Sequence, residues 1–236
     1  MIEEVGWSSL LGSQAPAGSR LKAALLTTYD RPDERFMIEH LLPPLLGIAH
    51  DPQGEGVERE RFFAEVDGHL RAMRGKIAVI ASMPGSQDEA SERAYPWLWK
   101  YIPLLAVGRH GRATQHAKLW LFHWAAPEGE TAEHVEMIVS SANLTRSAFR
   151  EQIQAAWRCV CPLEPRARRH ASWGIVPDFL RALGKSSGAT ELVETFAETL
   201  ARAEPPQDVA FVASVPGRHT KQELKRTPWG AAGLGE

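Results

Sequence analysis

Cysteine is scarce: Cys159 and Cys161 are the only two in 236 residues. They sit close together in an apolar segment with no ligand pattern around them. That excludes a disulfide framework and reads as buried thiols in a reducing cytoplasm, or a nucleus if the source is eukaryotic. No apolar run approaches the roughly 18 residues of a membrane span. The opening stretch MIEEVGWSSLLGSQAPAGSR has neither a basic head nor a long apolar segment, so export is not supported. A basic excess is missing as well. A formal net charge of −2 excludes a protein that coats nucleic acid by broad phosphate tracking, yet allows an enzyme that grips one or two phosphates. His-Glu-x-x-His, Asp-x-Asp and Cys-x-x-Cys patterns are all absent, so no metal and no cofactor are implied.

Enough apolar residues are present, 44% of the chain, to bury a core without staples, and residues 1–236 read as one domain. Apolar runs bounded by turn residues predict strands over 21–29, 75–83, 102–108, 116–124, 135–143, 153–161 and 208–217. Helical spacing marks 33–48, 176–184 and 190–203, and 51–60 is rich in turn residues. Strands and helices alternate first and strands then cluster. This predicts an α/β or α+β fold, a mixed sheet with helices on both sides.

Three pieces carry chemistry. In QHAKLWLFHW, residues 115–124, a strand would place His116, Lys118, Trp120 and Phe122 on one face. An imidazole and an ammonium would then point together from one rigid element. Alone the pair is equally what a solvated edge strand presents, as the second His-x-Lys, His219 and Lys221, shows in its polar surroundings. In SSANLTRSAF, residues 140–149, Asn143 offers an amide and Ser140 and Ser141 offer hydroxyls at a strand-to-helix junction. Such donors suit a phosphate oxygen, and they equally suit a helix cap. The third piece is the order. Imidazole, ammonium and amide on neighbouring strands suit nucleophilic and electrostatic catalysis of phosphoryl transfer. Elsewhere Trp97, Trp99 and Tyr101 alternate, and Trp99 and Tyr101 are candidates to stack on bases. EPRARRHAS, 164–172, is a local basic cluster. TTYD, 27–30, ends the first strand, where a residue could line a cleft.

His116-x-Lys118 followed by SSANLT resembles the first half-site of the phospholipase D superfamily, and more closely its tyrosyl-DNA phosphodiesterase branch. The superfamily's aspartate five after the lysine is replaced by His123, a departure that branch shares. Asn143, Gln154 and Trp157 match its spacing, and residues 212–230 resemble the segment that closes its first domain. The resemblance covers roughly residues 21–230.

It implies a phospholipase D-like mixed sheet sandwiched between helices, one half of a pseudo-symmetric pair. The core would span about 21–217, with 218–236 a connector towards a second half. It also implies a metal-independent phosphoric diester hydrolase acting on DNA 3′-phosphodiesters. His116 would form a phosphohistidine, Lys118 and Asn143 would hold phosphoryl oxygens, and Gln154 would order the site from its edge, with Ser141 beside the substrate. The partners implied are DNA or another phosphodiester and a second phospholipase D-like half. His219 and Lys221 lack a downstream Ser-x-Asn, so the second half is expected in a longer chain or in a homodimeric nuclease. A non-catalytic interaction domain is the remaining alternative.

Overall fold

The structure is a computed structural model, and it describes residues 17–82, 94–107, 115–129, 132–163, 173, 175–206, 209, 211 and 213. Its centre is a six-stranded sheet in the order β3-β2-β1-β4-β5-β6. The strands are β1 (Arg20–Thr28), β2 (Ile77–Ala81), β3 (Leu104–Ala106), β4 (Leu119–Ala125), β5 (His134–Ser140) and β6 (Ala156–Pro162). β1, β2 and β3 run parallel, and β4 turns antiparallel to β1 and continues through β5 to β6. The expected mixed sheet between helices is what forms.

β1 and β2 read as continuous apolar runs because each is covered on both faces. Ala24, Leu26, Val79, Trp120 and Phe122 pack to one side. Leu25, Ile80, Leu119, Leu121 and Met137 pack to the other. The first face is covered by α1 (Glu34–Phe36), a π-helical turn (Met37–Leu41), α2 (Leu42–Leu46) and α3 (Val57–Ala72). α4 (Arg146–Arg150) follows β5, and α5 (Ile175–Ser187) and α6 (Thr190–Leu200) cover the second face. No helix among the described residues is long and apolar enough to cross a membrane.

The helix expected over 33–48 is interrupted, and the sequence supplies the reason. Asp33 starts it, its carboxylate accepting from the amides of Arg35 and Phe36. Pro43 and Pro44 then lack the amides that an α-helical ladder needs. The chain widens one turn ahead of them, and Leu42 N–H reaches back five residues to the Met37 carbonyl.

Two expectations are corrected. Residues 57–60, taken as loop, are the first turn of α3. Its fully buried apolar residues are only Phe62, Val66 and Leu70, too sparse to stand out among eight charged and polar neighbours. Trp97 and Trp99 lie on a 3-10 turn, Pro96–Lys100, and Tyr101 follows it. The strand expected from His116 starts at Leu119, for reasons that belong to the site. The strand expected over 208–217 falls mostly outside the described residues. So do the basic cluster at 164–172, the His219 and Lys221 pair, and nearly all of 212–230.

Polar groups are buried at two places in the first layer. Glu34 is fully buried, and its carboxylate accepts from Tyr95 N–H and from Trp99 Nε1–H, each at 2.7 Å. Across the far strands Glu136 accepts from Trp124 Nε1–H at 2.9 Å and faces the Arg158 guanidinium at 3.1 Å. This ion pair ties β4, β5 and the edge strand β6. Cys159 and Cys161 are free thiols, half-buried and buried, with sulfurs 4.0 Å apart.

Replacing Glu34 by alanine leaves two buried donors without acceptors, so Glu34→Ala is expected to cost about 3 kcal/mol. Urea unfolding followed by tryptophan fluorescence measures this. A loss below about 1 kcal/mol would mean that these two bonds do not anchor the aromatic turn.

Candidate active site

The site forms where β1 ends. Backbone pairing between β1 and β4 stops at Leu26 and Trp120. Beyond that point side chains take over the ladder. Thr27 Oγ1–H donates to the Ala117 carbonyl at 2.9 Å and accepts from Leu119 N–H at 2.7 Å. Gln115 continues the work from the other side. It is almost fully buried, its Nε2 donates to the Thr28 carbonyl at 2.6 Å, and its backbone N–H donates to Ser82 Oγ at 2.6 Å. Residues 115–118 are therefore extended but held by side chains, which is why the regular strand begins only at Leu119.

This leaves His116 exposed between two anchored neighbours, while Lys118 is 5% exposed. The two side chains meet as alternation requires: Lys118 Nζ lies 3.0 Å from His116 Nδ1 and 3.4 Å from Nε2. An ammonium has only hydrogens to offer, so a charged Lys118 can meet this ring only as a donor to a nitrogen that carries a lone pair. Tyr29 backs both groups. Its ring centroid is 4.7 Å from that of His116 and 5.9 Å from Lys118 Nζ.

Asn143 comes to the same strand end from β5. Its Oδ1 accepts from Tyr29 N–H at 3.1 Å and from Thr28 Oγ1–H at 3.3 Å, and its Nδ2 donates to Asp30 Oδ2 at 2.5 Å. These bonds fix which end of the amide carries the hydrogens. They also settle the capping question, because the cap of α4 is Thr145, whose hydroxyl accepts from Ala148 N–H. Asn143 is free of that duty. The Ser-x-Asn turn is pinned to β4 by Ser140 N–H donating to the Lys118 carbonyl at 2.9 Å.

Ser141 and Gln154 sit one layer out. Ser141 Oγ–H donates to Gln154 Oε1 at 2.5 Å, and Gln154 Nε2 donates to the Ala148 carbonyl at 3.1 Å. Together they clamp the turn that carries Asn143 to α4 and to the start of β6. Ser141, expected beside the substrate, is exposed, and its hydroxyl takes part in this clamp. Trp99 and Tyr101, expected to stack on bases, both pack against the first-layer core, with the indole N–H donated to Glu34 and the phenol donated to Asp67 at 2.6 Å.

Four residues that complete the site were not assigned from sequence: Thr28, Tyr29, Asp30 and Gln115. The available signal was position. Thr28, Tyr29 and Asp30 follow a buried apolar run at its carboxyl end, where ligands gather in α/β sheets, and Gln115 precedes the histidine directly.

Burial lowers the Lys118 pKa from the ordinary lysine value, and the Asp30 carboxylate works against that shift. Among the described residues no group of three or more His, Cys, Asp or Glu side chains could hold a metal ion.

A match to the family model for tyrosyl-DNA phosphodiesterase spans residues 107–236, a segment that contains His116, Lys118, Asn143 and Gln154. The chain belongs to the tyrosyl-DNA phosphodiesterase family. Among solved structures it is similar to yeast tyrosyl-DNA phosphodiesterase, at 13% identity over 83% of this chain and 37% of that one, with a TM-score of 0.45. A point-mutant structure of the same yeast enzyme matches at 13% identity over 81% of this chain and 36% of that one, with a TM-score of 0.48. The chain thus spans about a third of the length of the yeast structures it matches. No curated protein matches the sequence.

A buried ammonium is expected to cost stability. Between its lowered folded pKa and the ordinary value of 10.5, the unfolded chain binds more protons than the folded one, so stability rises with pH across that window. Lys118→Met should remove that rise and be equal to or about 1 kcal/mol more stable than wild type at pH 7. Thermal unfolding at pH 7 and pH 10 measures both effects. A clear loss of stability in the methionine variant would make Lys118 a structural residue.

Proposed function

We propose that this chain supplies a phosphodiesterase half-site that acts on DNA 3′-end phosphodiesters, including a tyrosine ester, through a phosphohistidine on His116. The observation that carries the proposal is the contact between the His116 ring and Lys118 Nζ at 3.0 Å, at the strand end that also orients the Asn143 amide. A phosphoryl oxygen is a stronger acceptor than an imidazole nitrogen. On arrival it draws the ammonium from the ring and frees the lone pair that Lys118 holds. That lone pair attacks phosphorus, forming the P–N bond as the P–O bond to the leaving group breaks. Lys118 and the Asn143 amide stabilise charge on the non-bridging oxygens. Water then cleaves the P–N bond and leaves a terminal phosphate.

A proton must also reach the leaving oxygen. In this reading a second half-site gives it, in a longer chain or in a second copy of this one. General acid help of that kind is worth about 10²–10⁴-fold. A phenolic leaving group, with a pKa near ~10, needs less of it than an alkoxide does.

Incubation of the chain with p-nitrophenyl esters of phosphodiesters in EDTA tests the assignment. Slow release of nitrophenol is expected, with an acid-labile, alkali-stable phosphoryl label on the protein. His116→Ala should abolish both, Lys118→Ala should lower the rate at least 100-fold, and His219→Ala should leave the labelling intact. Loss of activity on chelation, restored by a divalent cation, would replace histidine attack by metal-assisted attack. Loss of labelling in His219→Ala would place the second half-site within this chain.

A further inference from the structure

The phosphoryl site contains a carboxylate that the attack on phosphorus does not use. Asp30 is half-buried at the end of β1, its Oδ2 2.5 Å from Asn143 Nδ2, and its charge acts on the Lys118 ammonium. The preceding residue, Tyr29, packs its ring against His116 at a tilt of 46°. Asp30 therefore stands beside the two groups that would hold phosphoryl oxygens. A carboxylate there is unfavourable to any anion, and a site built only for affinity would place an amide or a hydroxyl at that position.

We propose that Asp30 is a specificity-determining residue that sets the charge of this site, so that a doubly charged terminal phosphate loses the advantage over a singly charged phosphodiester that Lys118 alone would give it. The inference rests on reading His116, Lys118 and Asn143 as a phosphoryl site. At this strand end the Lys118 ammonium and the Asp30 carboxylate are set beside the His116 ring, the Asn143 amide and the Tyr29 ring. The two charges oppose one another. A monoanion entering such a site loses against Asp30 about what it gains from Lys118. A dianion doubles both, so Asp30 takes away the preference for the higher charge that Lys118 alone would create. Charge–charge energy scales with the product of charges, so whatever factor Asp30 costs a diester, it costs a dianionic monoester roughly the square of that factor. Cleavage of a diester followed by hydrolysis leaves a terminal phosphate, so the same repulsion that screens substrates also helps expel the product. The Asp30 bond to Asn143 keeps the carboxylate in place and aims the amide, which couples the discriminating charge to the oxygen-binding group.

The test uses the full 236-residue chain and two small ligands: methyl phenyl phosphate, a monoanion, and phenyl phosphate, a dianion at pH 8. Dissociation constants come from ligand-observed phosphorus NMR titration. Asp30→Asn keeps an oxygen that can accept from Asn143 and removes the charge, whereas Asp30→Ala removes both. If the diester tightens about fivefold in Asp30→Asn, the monoester should tighten about 25-fold, and the ratio of the two affinities should move the same way in Asp30→Ala. Raising the salt concentration should shrink the shift. An unchanged ratio in both variants overturns the inference, as does a ratio that moves only in the alanine variant, since that would make Asp30 a positioning residue for Asn143. If neither ligand binds the wild type, the phosphoryl-site reading falls first and this one with it. If both bind, lose affinity in Lys118→Met, and keep their ratio in Asp30→Asn, only the role of Asp30 is lost.

Discussion

An ammonium taken out of water has to be given something in return, and this requirement organises the whole strand end. Lys118 receives a ring nitrogen of His116, the face of Tyr29 and the field of Asp30. None of these is a full replacement for water, and the lowered pKa records the deficit. An under-solvated cation is a poor stabiliser of a fold and a good receptor for an oxyanion. The remaining features keep it under-solvated. Thr27 and Gln115 hold the extended segment tightly enough that Lys118 cannot swing out, and the Ser140 amide fixes its carbonyl from the other side.

The sheet and its helical cover were legible because burial on two faces produces apolar runs that are hard to mistake, as in β1 and β2. α3 was not. A helix at the rim of a layer needs only three buried side chains, Phe62, Val66 and Leu70, and its remaining positions follow solvent rather than periodicity. The aromatic turn at 96–100 was not assigned either; its one local signal is the proline at its first position, which favours a helical start.

The site divided along similar lines. His116, Lys118 and Asn143 were readable because their chemistry and their spacing agree with strand geometry. Thr28, Tyr29 and Asp30 lie more than 110 residues from Asn143 in the chain, and nothing local in TTYD announces that its backbone and side chains will receive an amide. The bond between Ser141 and Gln154 was not legible, because a serine hydroxyl has many local alternatives and only the fold selects one.

The Glu136–Arg158 pair acquires a mechanical meaning from where it sits. Among the described residues β6 is the last strand of the sheet, and β5 is its one neighbouring strand. Pairing in a sheet repeats every two residues, so a slip by one would turn every side chain of β6 to the opposite layer. Arg158 lies opposite Ile138, two positions along the strand from the Glu136–Val160 pair and so on the same face, and a slip by one would carry its guanidinium out of the layer that holds Glu136. The ion pair thus acts as a detent. Two residues upstream of β6 lies Gln154, which clamps the turn that presents Asn143. The phasing of an edge strand is in this way transmitted to the angle of a single amide.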